Sequence, residues 1–451
     1  MAAYVDHLVQ ANDIQPVVTK EDVLNTQGNL VLARGTAINI DAANILEAHP
    51  LAKPIESYIA LEEEFNAEII FGLFEQFITN DEHFQSIHLS LDISDKLTLC
   101  IKAFCQFDFL RQKLNVLAIQ MPDVFDQSLF CAWMSTLILT QQNCSQAVLN
   151  NIFIASLSHD IGFLHISPKV LFKKEKLLPE EWAEMQKHAQ IGKLLLEKVS
   201  AKVSDIDKSV TRAVLEHHEN PDGTGYPSGK MGKQLAPFGR IINILDTVNA
   251  IYRKHFKPRN RSLRDLVPIF KMTLLLQGSR SSDTLISLMN LTAATEHCTV
   301  PNTLIASLIA LVKDQAQKIM TFVEIANNFS HSVGTQNKNR KVLMLQNMAR
   351  HIKSTTSSCG IINEAYMRWL EQVEQEKLTF AYRELEDVLL MAQEIIFHID
   401  RFSRQVGLFL NDDASGELGA AVQELQQNIN AIPEVAASED LSTFLRGQSA
   451  I

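Results

Sequence analysis

From about Glu62 to the end of the chain, apolar residues recur at i, i+3 and i+4 spacing with only isolated turn clusters between them, which predicts a succession of amphipathic helices. The longest candidates run from Leu304 to Phe329 and from Leu378 to Phe402, the second with Leu385, Leu389, Ile396 and Ile399 on one side. The largest interruption is the glycine- and proline-rich stretch from Pro221 to Gly239. Upstream the pattern differs: from Gln15 to about Leu61, PVVT, NLVLA after a turn at Gly28, and SYIAL after a turn at Gly35 read as strands. Between the last two strands, a short helix is expected with Asp41 near its start and Ala43, Ile45 and Leu46 as its apolar side. The expected fold class is mainly α, with a small β-containing N-terminal module (1–61), a helical connector (62–118), a helical metal domain (119–294) and a helical C-terminal bundle (295–451) that serves packing or dimerisation.

Composition narrows the class. The chain has 451 residues, 46% hydrophobic and 21% charged, close to the globular average and unlike a disordered or fibrous chain. Its 41 Lys+Arg against 52 Asp+Glu give a net charge of -11, which disfavours coating by long nucleic acid or anionic lipid. The six cysteines form no CxxC pair and predict reduced, mostly buried thiols. With no basic-then-apolar leader and no membrane-length apolar run, a cytoplasmic location without membrane insertion is expected. One region departs from the acidic balance: His159 to Arg261 holds 18 Lys+Arg and 12 Asp+Glu, a local +6 suited to a small anion.

That same region concentrates histidine. His159, His165, His188, His217 and His218 are five of the fourteen in the chain. ASLSHDIG places His159 and Asp160 at the end of an apolar helix, EEWAEMQKHAQIG carries His188 on a second, TRAVLEHHENPDG carries His217 and His218 on a third, and GRIINILDTVNAI puts Asp246 in a fourth. Taken singly, each histidine reads as a hydrogen-bonded core residue and Asp246 as a cap. Four helices delivering His or Asp from apolar surroundings instead predict a metal site inside a bundle, because polar groups buried there are costly unless satisfied.

With these residues, the segment from about Met121 to Arg261 resembles the HD-GYP domain family, a bacterial branch of the HD phosphohydrolases. The resemblance rests on His159-Asp160-Ile161-Gly162, VLFKKEKLLPEEW, Met185 with His188 and Gly192, His217-His218-Glu219, and above all Asp222-Gly223-Thr224-Gly225-Tyr226-Pro227, followed by Arg240-Ile241 and Asp246. It implies a helical HD-type bundle holding two divalent metal ions, iron or manganese, that hydrolyses cyclic di-GMP to pGpG or GMP. Carried over by position, His159, Asp160 and Asp246 would hold one metal and His188, His217 and His218 the other, with Asp160 bridging and taking part in catalysis. Gly223, Gly225, Tyr226 and Pro227 would shape the substrate pocket, with Arg253 and Lys257 as further substrate contacts.

Three positions depart from the family pattern. Gln127 stands where the family has a histidine on the preceding helix, Asp123 where trinuclear members have a glutamate, and Phe163 where the HDIGK lysine meets phosphate. The resemblance therefore implies a cyclic di-GMP phosphodiesterase with altered or impaired chemistry. The alternative is a degenerate domain that acts as a cyclic di-GMP receptor or protein-interaction module. In either case the helical regions are expected to offer a surface to a second copy or a signalling partner.

Overall fold

The computed structural model describes residues 2–200, 206–274, 280–295, 297–334, 339–360, 363–412 and 416–447. They form two compact units, Met1–Ala250 and Ile251–Ile451.

In the first unit, a helix absent from the sequence expectation opens the chain, α1 (Ala2–Asn12). Tyr4, Val5, Leu8 and Ala11, a helical i, i+1, i+4, i+7 stripe, are its fully buried side. The strand-rich stretch is small: β1 (Val17–Thr19) pairs antiparallel with β4 (Ile59–Leu61), and β2 (Val23–Leu24) pairs with β3 (Leu30–Leu32). The expected turns at Gly28 and Gly35 have φ of 83° and 82°, a backbone region open to glycine at little cost. Helix α2 (Ile40–Ala48) starts where Asn39 accepts the Ala42 N–H. It buries Ala42, Ala43 and Leu46, while Ile45 of the expected apolar side is exposed.

Helices α3 (Ala67–Thr79), α4 (Glu82–Leu91), α5 (Ser94–Phe104) and α6 (Asp108–Gln120) follow. The centre of the unit is the pair α7 (Pro122–Gln141) and α8 (Gln146–Ser158), each with an almost unbroken run of buried residues, from Ser128 to Leu139 and from Ile152 to Ser158. Helices apolar on all sides belong in the middle of a bundle. The few polar groups there bond locally, Thr136 to the Ala132 carbonyl and Ser135 Oγ to Ser156 Oγ at 3.1 Å. After α8 come a 3-10 turn (Ile161–His165), α9 (Pro168–Leu171), α10 (Pro179–Gln186), α11 (His188–Ser200), α12 (Lys208–Glu216) and α13 (Pro237–Ile251).

A buried polar knot ties the N-terminal helix to this bundle. Lys113 of α6, fully buried, lies 2.8 Å from Glu56, donates to His165 Nε2 at 3.1 Å and sits 2.9 Å from the centre of the Tyr4 ring. Tyr4 stacks on His165 with ring centres 5.3 Å apart, and His7 Nε2 donates to the Ile166 carbonyl at 3.0 Å. His165, grouped by sequence with the metal-binding histidines, thus does a different job. Burial and the adjacent Lys113 ammonium press its pKa down to about 2, so it stays neutral.

The second unit comprises α14 (Val267–Leu274), α15 (Arg280–Met289), α16 (Ile305–Val333), α17 (Arg340–Cys359), α18 (Glu364–Glu376), α19 (Tyr382–Asp412), α20 (Gly416–Asn430) and α21 (Glu439–Gly447). Both long sequence candidates are helices here. On α19 the buried stripe runs through Leu385, Leu389, Ile395, Ile399 and Phe402, with Ile395 rather than Ile396 fully covered. It meets α16 through Phe322, whose ring stands edge-on to Phe402 at 5.4 Å. Arg261, counted by sequence in the basic island, is 1% exposed and bonded to Asp387, with Asp265 at 3.6 Å and Glu386 at 3.9 Å. Arg383 supports the same carboxylates, with Asp265 at 2.8 Å. No helix among the described residues is long and apolar enough to cross a membrane.

Removing one partner of a buried charge network leaves the others uncompensated, so Arg261→Ala should cost about 3–5 kcal/mol. Urea unfolding of the two proteins measures the difference, and a loss below about 1 kcal/mol would contradict the buried-network reading.

Candidate metal centre

Most of the candidate ligands sit where a helix begins or ends in the first unit, while Asp246 lies inside α13. His159 caps the C-terminus of α8, Asp160 follows it, His188 opens α11 after a break at Lys187, and His217 caps the C-terminus of α12. The sequence expected His188 inside a continuous helix; the break instead places its ring at a helix start. Helix ends suit this task because their side chains are not committed to a packed stripe.

Three of the imidazoles are oriented by one device. His159 Nδ1 donates to the Ser156 carbonyl, His188 Nδ1 to that of Met185 and His217 Nδ1 to that of Val214, each at 2.7 Å. A carbonyl oxygen can only accept, so Nδ1 carries a proton and Nε2 is the atom turned inward. The three Nε2 atoms converge on Asp160. One carboxylate oxygen, Oδ2, is 3.3 Å from His159 Nε2, while Oδ1 is 3.4 Å from Nε2 of both His188 and His217. Asp246 Oδ1 is 3.9 Å from His159 Nε2, and the ring of His218 lies 4.0 Å from that of His217.

Such an arrangement is poorly satisfied by protein alone. His188 Nε2 and His217 Nε2, both lone-pair bearers, are 3.2 Å apart. Buried His159 Nε2 and Asp160 Oδ1 have no hydrogen-bond partner. Convergent acceptors without donors are what a cation satisfies. Among the described residues, two groups of such donors have ligand atoms within 4.8 Å of one another: Asp160, His188, His217 and His218 in one, and Cys131, His159 and Asp246 in the other. The residues fit two divalent ions.

Electrostatics hold His188 and His218 neutral, while His159 would give up a proton on binding an ion. Burial outweighs Asp160 at His188, whose pKa falls to about 4, and burial with the neighbouring His217 and His188 holds His218 well below its usual value. Burial also disfavours charge on His159, but Asp160 and Asp246 overcome it and raise its pKa. Asp160 would be raised by burial, yet His159, with His217 and His188, pulls it well below the usual carboxylate range.

The glycine-rich loop closes over this centre. Tyr226 donates its N–H to the His218 carbonyl at 3.2 Å and tilts its ring over that of His218 at 4.7 Å. Glu219, buried, accepts the N–H of Ser228 at 2.7 Å and of Lys230 at 2.9 Å, which fastens the loop to the end of α12. Gly223 has φ of 83°, and a Cβ on Gly225 would lie 2.4 Å from the His218 carbonyl oxygen, so both glycines are required by the chain path. Pro227, at the loop tip, is exposed.

The departures also find places. Gln127 Nε2 donates to the Asp246 carboxylate, so the glutamine does lie beside the group of Cys131, His159 and Asp246. Phe163 stacks on His188 at 4.0 Å and 20°. Asp123 is exposed in the first turn of α7 and is absent from the grouped donors among the described residues. Arg253 and Lys257 lie beyond Ala250, in a π-helical turn (Tyr252–Phe256) and a 3-10 turn (Lys257–Arg259) of the second unit. Within the basic island, Lys173 pairs with Glu181, and Arg212 and Lys230 pair with Glu216, so several of its charges are matched locally. Cys131 was not anticipated as a donor. Its signal was positional: it follows Gln127 by four residues on the same helix face, but in FCAWM it reads as core.

Residues 108–269 match the family model for the HD domain. Over 138 residues the chain is 29% identical to the cyclic di-GMP phosphodiesterase of Thermotoga maritima, covering 30% of this chain and 37% of that protein. Over 123 residues it is 35% identical to 3'3'-cGAMP-specific phosphodiesterase 3 of Vibrio cholerae, covering 27% of this chain and 24% of that protein. This segment is an HD domain. The matches span between about a quarter and two fifths of the lengths of those two relatives. An HDG"Y"P protein structure from Bdellovibrio bacteriovorus aligns with 61% of this chain and 94% of its own at 13% identity and a TM-score of 0.31, too low to bear on the fold.

Two measurements test this centre. His217→Ala should lower metal content per chain in elemental analysis, and unchanged content would contradict the assignment. Below about pH 6.5, His165, His188 and His218 stay neutral when folded but protonate when unfolded. The unfolded state then binds more protons, so stability falls with pH. His159, shifted upward, opposes this only near pH 6.5, where its unfolded form is still partly neutral, and the three lowered histidines outweigh it. The urea midpoint of chelator-treated protein should therefore drop between about pH 6.5 and pH 5, and a midpoint that holds or rises would refute the neutral imidazoles.

Proposed function

We propose that this HD-GYP domain is a metal-dependent phosphodiesterase that opens cyclic di-GMP to the linear dinucleotide or GMP. The observation that carries the reading is the Asp160 carboxylate, with one oxygen facing His159 and the other facing His188 and His217. A carboxylate so placed serves two cation positions at once. His159, Asp160 and Asp246 would hold one ion and Asp160, His188, His217 and His218 the other. When bound, the pair would neutralise developing charge on the phosphate and supply a nucleophile at neutral pH. The chain itself supplies the rest: fixed Nε2 lone pairs, a shared carboxylate, and a tyrosine-bearing loop held against His218 as one wall. The names of the relatives support a cyclic dinucleotide as substrate class, and the ferrous or manganous identity of the ions belongs to the same proposal.

A second reading, a cyclic dinucleotide receptor without turnover, is favoured by two contacts. Gln127 ties up the Asp246 carboxylate, and an uncharged phenyl ring at Phe163 covers His188 where the family presents a lysine.

Purified protein loaded anaerobically with iron or manganese and given cyclic di-GMP should release linear product on ion-exchange chromatography. Absence of product together with binding heat in calorimetry would overturn the enzyme in favour of the receptor. If the departures limit the rate, Gln127→His with Phe163→Lys should raise turnover, roughly tenfold or more, as expected for restoring a ligand and a phosphate contact.

A further inference from the structure

The wall of the centre behind His159 carries a donor that the family pattern does not supply. Cys131 follows Gln127 by one turn of α7, and its Sγ, a ring nitrogen of His159 and a carboxylate oxygen of Asp246 lie within 4.8 Å of one another. Both Cys131 and His159 are fully buried. His159 directs Nδ1 to Ser156 and leaves Nε2 unpartnered in that buried space. A buried cysteine in an apolar core behaves as a small hydrophobic residue. Here it instead lies beside an imidazole nitrogen and a carboxylate, a setting that a cation stabilises. Gln127, by contrast, offers only an amide, a weak ligand for a transition metal.

We propose that Cys131 supplies a thiolate to the metal position formed with His159, Asp160 and Asp246, and so biases that position toward zinc or ferrous iron over manganese. The inference rests on the two-metal reading above and sharpens it to ligand and ion. Binding exchanges the thiol proton for the metal: the S–H bond breaks, the proton leaves to solvent, and the S–metal bond forms with no change of oxidation state. Soft sulfur raises affinity for zinc and iron far more than for manganese, which prefers oxygen donors. The thiolate also returns to the α7 face a strong donor in place of the histidine replaced by Gln127.

Cobalt(II) reports the bond directly, because a thiolate ligand adds a near-ultraviolet sulfur-to-metal charge-transfer band. The full chain, stripped with chelator and reloaded anaerobically with cobalt, should bind two ions and show the band. Cys131→Ser should lose the band and about one ion per chain while keeping the second. The double variant Cys131→Ser with Gln127→His should regain the ion without the band, which guards against misfolding as the cause of loss. Given zinc and manganese together, the wild type should retain zinc at this position, and Cys131→Ser should lose that preference. Two bound cobalt ions without a band in the wild type, or a band that survives in Cys131→Ser, would overturn the thiolate and leave the two-metal centre standing. No bound cobalt at all would overturn the centre, and this inference with it.

Discussion

The centre depends on one repeated hydrogen bond, from Nδ1 of a histidine to the carbonyl three residues earlier in the chain. Made by His159, His188 and His217, it decides at once which nitrogen holds the proton, which way the ring faces and which nitrogen is left with a lone pair. Each bond is local, so the orientation is set by the helix end and not by the substrate or a neighbouring domain. What tertiary packing must add is only the convergence of those ends. The all-buried pair α7 and α8 provides it, with α11 and α12 brought alongside.

Convergence leaves little room. A Cβ on Gly162 would come within 2.0 Å of the His188 carbonyl oxygen, so the chain turning away from Asp160 touches the backbone that carries the next ligand. The loop after His218 is held with similar economy, through Glu219 below and Tyr226 above. Buried carboxylates do much of this fastening: Glu216 bonds Arg212, Lys230 and the Ala236 N–H, and Asn243 donates to the His217 carbonyl at 2.9 Å. The geometry of the donors is thereby protected by residues that touch none of the expected ions.

Much of the centre was legible because its residues break a strong local pattern. Histidine or aspartate inside an apolar helical run is conspicuous, and His159, Asp160, His188, His217, His218 and Asp246 all came to one place. His165 met the same criterion yet joined Lys113 and Tyr4, since composition cannot tell which way a turn residue points. Cys131 failed in the opposite sense: a thiol among phenylalanine, tryptophan and methionine looks like core, and only the third dimension brings Asp246 beside it. Helix α1 escaped because its apolar stripe, Tyr4, Val5, Leu8 and Ala11, is short. The α19 stripe was displaced by one residue, from Ile396 to Ile395, which is the size of error that a 3.6-residue period allows.

The knot around Lys113 separates two ideas of what a domain is. Homology marks out 108–269, whereas the ammonium at its heart rests on Tyr4 and pairs with Glu56, both well upstream. Cut at the homology boundary, the fragment would keep the cation and lose its anion and its aromatic lid, with His165, five residues after Asp160, stripped of its stacking partner. The inherited unit and the physical one therefore do not coincide, and a piece excised for study by family resemblance alone would be a different molecule at the turn that carries the shared carboxylate.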